Sequence, residues 1–158
     1  MRHGKSSWDN HGLSDIERPL KKRGVKEAAI VAQQLTKLKA VPDLILTSPA
    51  TRARDTSIIV AQHMNYDLQK LQIEPSIYGA GTSDILRILS YVSNEPKSIM
   101  IFGHNPTFTQ LINELQDDYL DNLPTCGCFG FKLDIDSWSD VQGGSAKNWF
   151  EIIPSKLK

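Results

Sequence analysis

Two cysteines in 158 residues are too few for a disulfide framework. Cys126 and Cys128 stand one residue apart with no evident thiol partner elsewhere, so reduced, structural thiols are expected. A metal site would need further ligands than this pair. Charge of one sign is lacking as well. Lys plus Arg and Asp plus Glu number 18 each, for a net charge of zero, and the basic excess of a nucleic-acid surface is absent. No apolar run approaches a membrane span, and the first residues carry no signal-peptide core, so a cytoplasmic location without membrane contact is expected. There is no repeat, low-complexity tract or dividing linker, and one domain over residues 1–158 is expected.

What is present is a regular alternation of strand and helix signals. Val25, Ala28, Val31, Ala32, Leu35 and Leu38 fall at helical spacing and predict a helix over 24–39. A short buried strand over 43–47 follows. Ser48 can cap the next helix, Pro49 suits its first position, and the helix should run to about Asn65. A strand over 71–74, a helix opening at Thr82 or Ser83 (Ile85, Ile88, Leu89 and Val92 on one face), a strand over 98–102 and a helix started by Asn105-Pro106 complete the pattern. Strands or irregular structure are expected over 127–134 and 149–153. Such alternation predicts a three-layer α/β/α sandwich with a mainly parallel sheet, whose ligands bind beyond the carboxyl ends of the strands. Arg52 and His104 both sit where a strand hands over to a helix.

Three short segments carry the chemistry: Arg2-His3-Gly4, Ser48-Pro49-Ala50-Thr51-Arg52-Ala53 and Gly103-His104-Asn105-Pro106. They supply two imidazoles and two guanidiniums. An imidazole is a competent nucleophile toward phosphorus, and guanidiniums match phosphate oxygens in charge and planar geometry. Taken alone, His3 would be a solvated residue near a terminus, Arg52 a surface charge and His104 a capping or core histidine; their company favours a phosphoryl site. Arg54, His11, His63 and Lys5 read as surface residues, and Trp8, Trp138 and Trp149 as packing residues.

These segments resemble the histidine phosphatase superfamily, with its phosphoglycerate-mutase-like fold. Lys5-Ser6-Ser7-Trp8, Asp15-Ile16-Glu17-Arg18-Pro19-Leu20 with Arg23-Gly24, and Leu123-Pro124-Thr125-Cys126-Gly127 are similar to its SixA-type phosphohistidine phosphatases. The resemblance runs in order from residue 2 to about residue 153. It implies a metal-independent phosphatase with no cofactor. His3 would form the covalent phosphohistidine intermediate, and Arg2, Arg52 and His104 would hold the phosphoryl oxygens, His104 best when protonated. The substrate it implies is a phosphorylated protein, such as a histidine phosphotransfer domain of a signalling relay. Asp15 is the candidate for leaving-group assistance, with Glu74 behind it; a salt bridge or turn cap serving the Arg18-Pro19 segment is an equal reading of Asp15.

Family members carry a short hydrophobic strand ahead of Arg-His-Gly, whereas Met1 directly precedes Arg2 here. The first strand is therefore expected to be truncated in this sequence, with two readings open: Met1 is an internal methionine of a chain that starts earlier, the favoured one, or the strand is lost, which would leave the nucleophile on a fraying terminus with activity reduced. Two further functions stay open. One is a phosphomonoesterase acting on a small molecule or phosphoserine peptide; the other is a non-catalytic phosphate-binding module.

Overall fold

The computed structural model describes residues 1–142 and 146–157. Three parallel strands, β1 (Leu44–Thr47), β2 (Leu71–Ile73) and β3 (Ile99–Phe102), lie in the order β2-β1-β3. An antiparallel pair, β4 (Cys128–Leu133) and β5 (Ala146–Ile152), forms the second sheet. The helices are α1 (Lys22–Lys37), α2 (Thr51–His63), α3 (Thr82–Ser90) and α4 (Thr107–Leu115).

Alternation along β1 and β3 sorts the core into two layers. Ile45, Met100 and Phe102 pack with Ala28, Val31, Ala32 and Leu35 of α1 and Val60 and Ala61 of α2. Leu46, with Leu44, Ile99 and Ile101, packs with Ile85 of α3 and Phe108, Leu111 and Ile112 of α4. A strand covered on both faces reads as an unbroken apolar run, which is why Leu-Ile-Leu-Thr and Ile-Met-Ile-Phe carry no polar alternation. The expected three-layer sandwich and its parallel sheet are therefore present.

The element bounds differ from expectation at identifiable points. Val25 and Leu38, placed on the core stripe of α1, are over 40% exposed because they flank it near the helix ends. Ser48 does not cap α2: Ala50 takes that position and the helix starts at Thr51. The Ser48 hydroxyl accepts from Ala50 N at 3.2 Å and pairs with the His104 ring, so the site claims it. Trp8 is 67% exposed rather than packed.

Residues 1–3 form a short stub that bonds both sheets. The Met1 ammonium donates to Ile101 O at 2.8 Å, Gly103 N to Met1 O at 3.2 Å and His3 N to Gly103 O at 3.1 Å. On the other side Arg2 N donates to Gly127 O at 3.0 Å and Cys126 N to His3 O at 3.1 Å. His3 is thus held between both sheets rather than fraying. Behind the stub, β3 and β4 are edge strands of their sheets, flanking a cavity of about 610 Å³ lined by Met1, Ile99, Ile101, Phe129 and Phe131 among others.

Candidate active site

The chain turns that follow β1 and β3 and the Arg2-His3-Gly4 stub converge at the carboxyl ends of the parallel strands. Gly103 allows the convergence: a Cβ there would stand 2.5 Å from the Phe108 ring. Gly24 does the same for the segment after the stub, since its Cβ would lie 2.6 Å from Lys5 O. Thr56, one turn along α2 from Arg52, accepts from Gly4 N at 2.9 Å and donates to Arg52 O at 2.6 Å. That single hydroxyl ties the His3 segment to the helix bearing Arg52.

His3 is buried, at 7% exposure. Its Nδ1 lies 2.7 Å from Gly4 O; a carbonyl only accepts, so Nδ1 carries the proton and Nε2 keeps its lone pair. Burial, with His104, Arg52 and Arg2 adding repulsion, holds the His3 pKa down to about 3 from 6.5. The imidazole is therefore neutral and nucleophilic at neutral pH. The His104 ring centroid is 5.3 Å away, and its Nε2 is 2.7 Å from Ser48 Oγ. Burial and then Arg52 lower His104 to about 4, so in the free site it too is neutral. The protonated His104 expected from the sequence needs an anion beside it.

Arg2 donates to Leu123 O at 2.9 Å, and Asn105 Nδ2 shares that carbonyl at 2.9 Å. Arg52 reaches Asp15 twice, from Nη1 to the backbone O at 2.7 Å and from Nη2 to Oδ2 at 3.0 Å. Among the described residues, the buried side-chain polar atoms without a hydrogen-bond partner are Arg2 Nε, Arg52 Nε, His104 Nδ1 and, on α1, Glu27 Oε2. Three of the four belong to this cluster, and they suit an oxyanion, which accepts from several donors at once.

Asp15 is the carboxylate of the site. Tyr78 donates to its Oδ2 at 2.6 Å, and Arg18 pairs with Oδ1 at 3.1 Å. The Tyr78 hydroxyl, then Arg18 and Arg52, hold it well below the usual carboxylate range. The ion pair with Arg18, one of the two roles open from the sequence, is present, and Arg52 is joined to it. Glu74 instead accepts from Ser76 N at 3.1 Å and caps a short 3₁₀ turn.

The structure therefore brings His3, Arg2, Arg52, His104 and Asp15 together. Lys5, His11 and His63 are exposed, and Arg54 pairs with Asp55. Cys126 and Cys128 are free and buried, and burial pushes the Cys126 thiol up to about 12. Sequence reading missed Tyr78, Thr56 and the part played by Ser48. Thr56 had a signal, its position four residues after Arg52 on the same helical face; Tyr78 arrives from a distant turn and had none.

A two-layer-covered parallel sheet with a buried neutral histidine, a second histidine and two arginines at its carboxyl edge defines a phosphoryl-handling α/β protein. The chain belongs to the histidine phosphatase superfamily: the profile described as "Histidine phosphatase superfamily (branch 1)" matches residues 1–76. A crystal structure from Agrobacterium tumefaciens that is named for SixA is 30% identical at a TM-score of 0.72, covering 80% of this chain and 84% of that one. The protein histidine phosphatase SixA complexed with tungstate matches at a TM-score of 0.84 and 25% identity, over 100% of this chain and 97% of that one. The phosphohistidine phosphatase SixA of Escherichia coli K12 is 29% identical over 160 residues, 100% of this chain and 94% of its own.

Proposed function

We propose that this chain is a phosphatase that hydrolyses phosphohistidine on a protein through a phosphoryl group carried by His3. The observation that carries this reading is the Nδ1–Gly4 O bond at 2.7 Å in a buried site, which leaves Nε2 unprotonated and fixed in direction. In the first step Nε2 donates its electron pair to phosphorus in line with the substrate P–N bond. That bond breaks, and its electron pair returns to the substrate imidazole. With its other nitrogen protonated, the imidazole departs neutral. Arg2, Arg52 and His104 hold the three equatorial oxygens as charge spreads over them. In the second step water attacks the phosphoryl group on His3, inorganic phosphate leaves and Nε2 regains its lone pair.

Asp15 assists as an anion rather than as an acid. Held ionised by Tyr78, Arg18 and Arg52, it has no proton to give at neutral pH. A carboxylate beside the leaving ring instead favours the imidazolium form of the substrate, the form that leaves as a neutral imidazole. The SixA names of the relatives and the tungstate, an oxyanion, held by one of them support the phosphohistidine reading.

The test is phosphate release from a histidine-phosphorylated phosphotransfer domain, with a small phosphate ester run under the same conditions. Turnover of the phosphodomain is expected, with His3→Ala reducing it by about 10³-fold or more. Turnover that survives His3→Ala, or that favours the ester, overturns the proposal.

A further inference from the structure

The segment between Ser6 and Leu20, which pair as an antiparallel bridge, rims the site and carries Trp8 at one end and Asp15 to Arg18 at the other. It is a fixed excursion. Ser7 N donates to Pro19 O at 2.8 Å, Leu13 N to Asn10 O at 3.3 Å, and Ser14 N to Glu17 Oε1 at 3.2 Å. Trp8 stands out on it, with 67% of its surface in water.

An indole in water is usually a mobile side chain, but this one is clamped on one face. The Arg18 guanidinium carbon lies 3.2 Å from the ring centroid. Arg18 cannot swing away. It is 8% exposed, and its three nitrogens donate to Ser7 O at 3.1 Å, Asp15 Oδ1 at 3.1 Å and Ser6 Oγ at 2.7 Å. Asp15 in turn bonds Arg52. Trp8 is thus one guanidinium and one carboxylate away from a phosphate-binding arginine, its other face turned to solvent. Ile16, also exposed at 38%, sits beside Asp15 on the same rim.

Exposure alone does not single Trp8 out, because Tyr91 is 82% exposed. Tyr91, however, stands with Asp43 and Leu44 at the amino end of β1, the far end of the sheet from His3. Trp8 alone of the two combines exposure, a held ring and a place at the rim. A rigid aromatic surface loses little entropy on contact, and tryptophan dominates binding energy at protein interfaces for that reason. Trp8 is not among the groups that would hold a phosphoryl group on His3, and it meets the site only through Arg18 and Asp15; a protein carrying the phosphoryl group presents surface to that rim as well.

We infer that Trp8, held on Arg18, is a specificity-determining residue that binds the protein surface around the phosphorylated histidine. The inference rests on the phosphatase reading above and names how that site selects a protein substrate. Trp8 touches no reacting atom, so its removal should weaken binding of the macromolecular part and leave the chemistry alone.

The experiment measures kcat and KM for a histidine-phosphorylated phosphotransfer domain and for free phosphohistidine, using wild type, Trp8→Ala, Trp8→Phe and Tyr91→Ala. Trp8→Ala is expected to lower kcat/KM for the phosphodomain by about tenfold or more, through KM, with free phosphohistidine changed less than about twofold. Trp8→Phe should recover most of the loss, and Tyr91→Ala should match wild type on both substrates. Equal losses on both substrates would mean that Trp8 only props Arg18 and Asp15, and would overturn the inference. Unchanged turnover of the phosphodomain by Trp8→Ala would overturn it too, with the phosphatase reading intact. Wild type inert toward both substrates would instead sink the phosphatase reading, and this inference with it.

Discussion

At the scale of single residues, the site is organised by which groups already have partners. Arg52 spends its guanidinium on Asp15, while Arg2 Nε, Arg52 Nε and His104 Nδ1 are buried and unpartnered among the described residues. An incoming phosphoryl group must compete with Asp15 for Arg52 and offers acceptors to the other donors. The Asp15 side chain is 47% exposed, so its ion pairs contribute little to stability on their own. Its weight in the proposed function is in the chemistry, and Asp15→Asn separates two effects. Inorganic phosphate should inhibit more strongly, because Arg52 is released from a competing charge. Turnover of phosphohistidine should fall about tenfold, because no anion favours the imidazolium leaving group. A merely structural role for Asp15 would weaken phosphate inhibition and turnover together, and inhibition constants beside kcat decide between the two.

At the scale of elements, His3, the proposed nucleophile, hangs on a stub. Met1 to His3 bond Ile101 and Gly103 on one side and Cys126 and Gly127 on the other, while the edges of β3 and β4 behind them flank a cavity of about 610 Å³. A strand there would be covered on both faces and so must be apolar throughout. Fusing three β-branched residues ahead of Met1 should therefore raise Tm by about 5 °C or more over a Gly-Ser fusion of equal length, since each buried side chain gains about 1.5–3 kcal/mol against a backbone cost of about 1–2 kcal/mol. Equal melting temperatures would show that the cavity does not take a strand. Legibility follows the same physics. α1, β1, β3 and α4 could be read because period and burial coincide, and the Arg2-His3-Gly4, Arg52 and His104 segments because their chemistry is local. The β4–β5 pairing could not be foreseen from short runs near 127–134 and 149–153, because pairing is a long-range choice. The Ser48 hydroxyl was misread for a related reason: a serine before a helix has a local use as a cap, and only the fold shows that His104 claims it.

At the scale of the whole molecule, the site sets how stability responds to acid. The unfolded chain takes up protons on His3 and His104 near 6.5, whereas the folded protein keeps them neutral down to about 3 and about 4. Between those values the unfolded state binds more protons, so stability rises with pH and falls on acidification, by about 1.4 kcal/mol per pH unit for each histidine. Asp15 acts in the same direction at lower pH, but weakly because its side chain is half exposed: its depressed pKa gives a small stability that is present above the ordinary 3.8 and is lost as pH falls below it. Phosphate reverses part of this. A dianion among Arg2, Arg52 and His104 raises the His104 pKa, so binding takes up a proton and the folded state no longer resists protonation there. Melting curves from about pH 7 to about pH 4.5 should then be steep in the free protein and shallower with phosphate. His104→Asn should flatten the free-protein curve by one histidine's share and reduce the pH-dependent part of the phosphate effect to what His3 and phosphate's own second ionisation contribute. A curve unchanged by His104→Asn would mean that His104 is not held neutral by burial, and the charge assigned to it in the free site would have to be reversed.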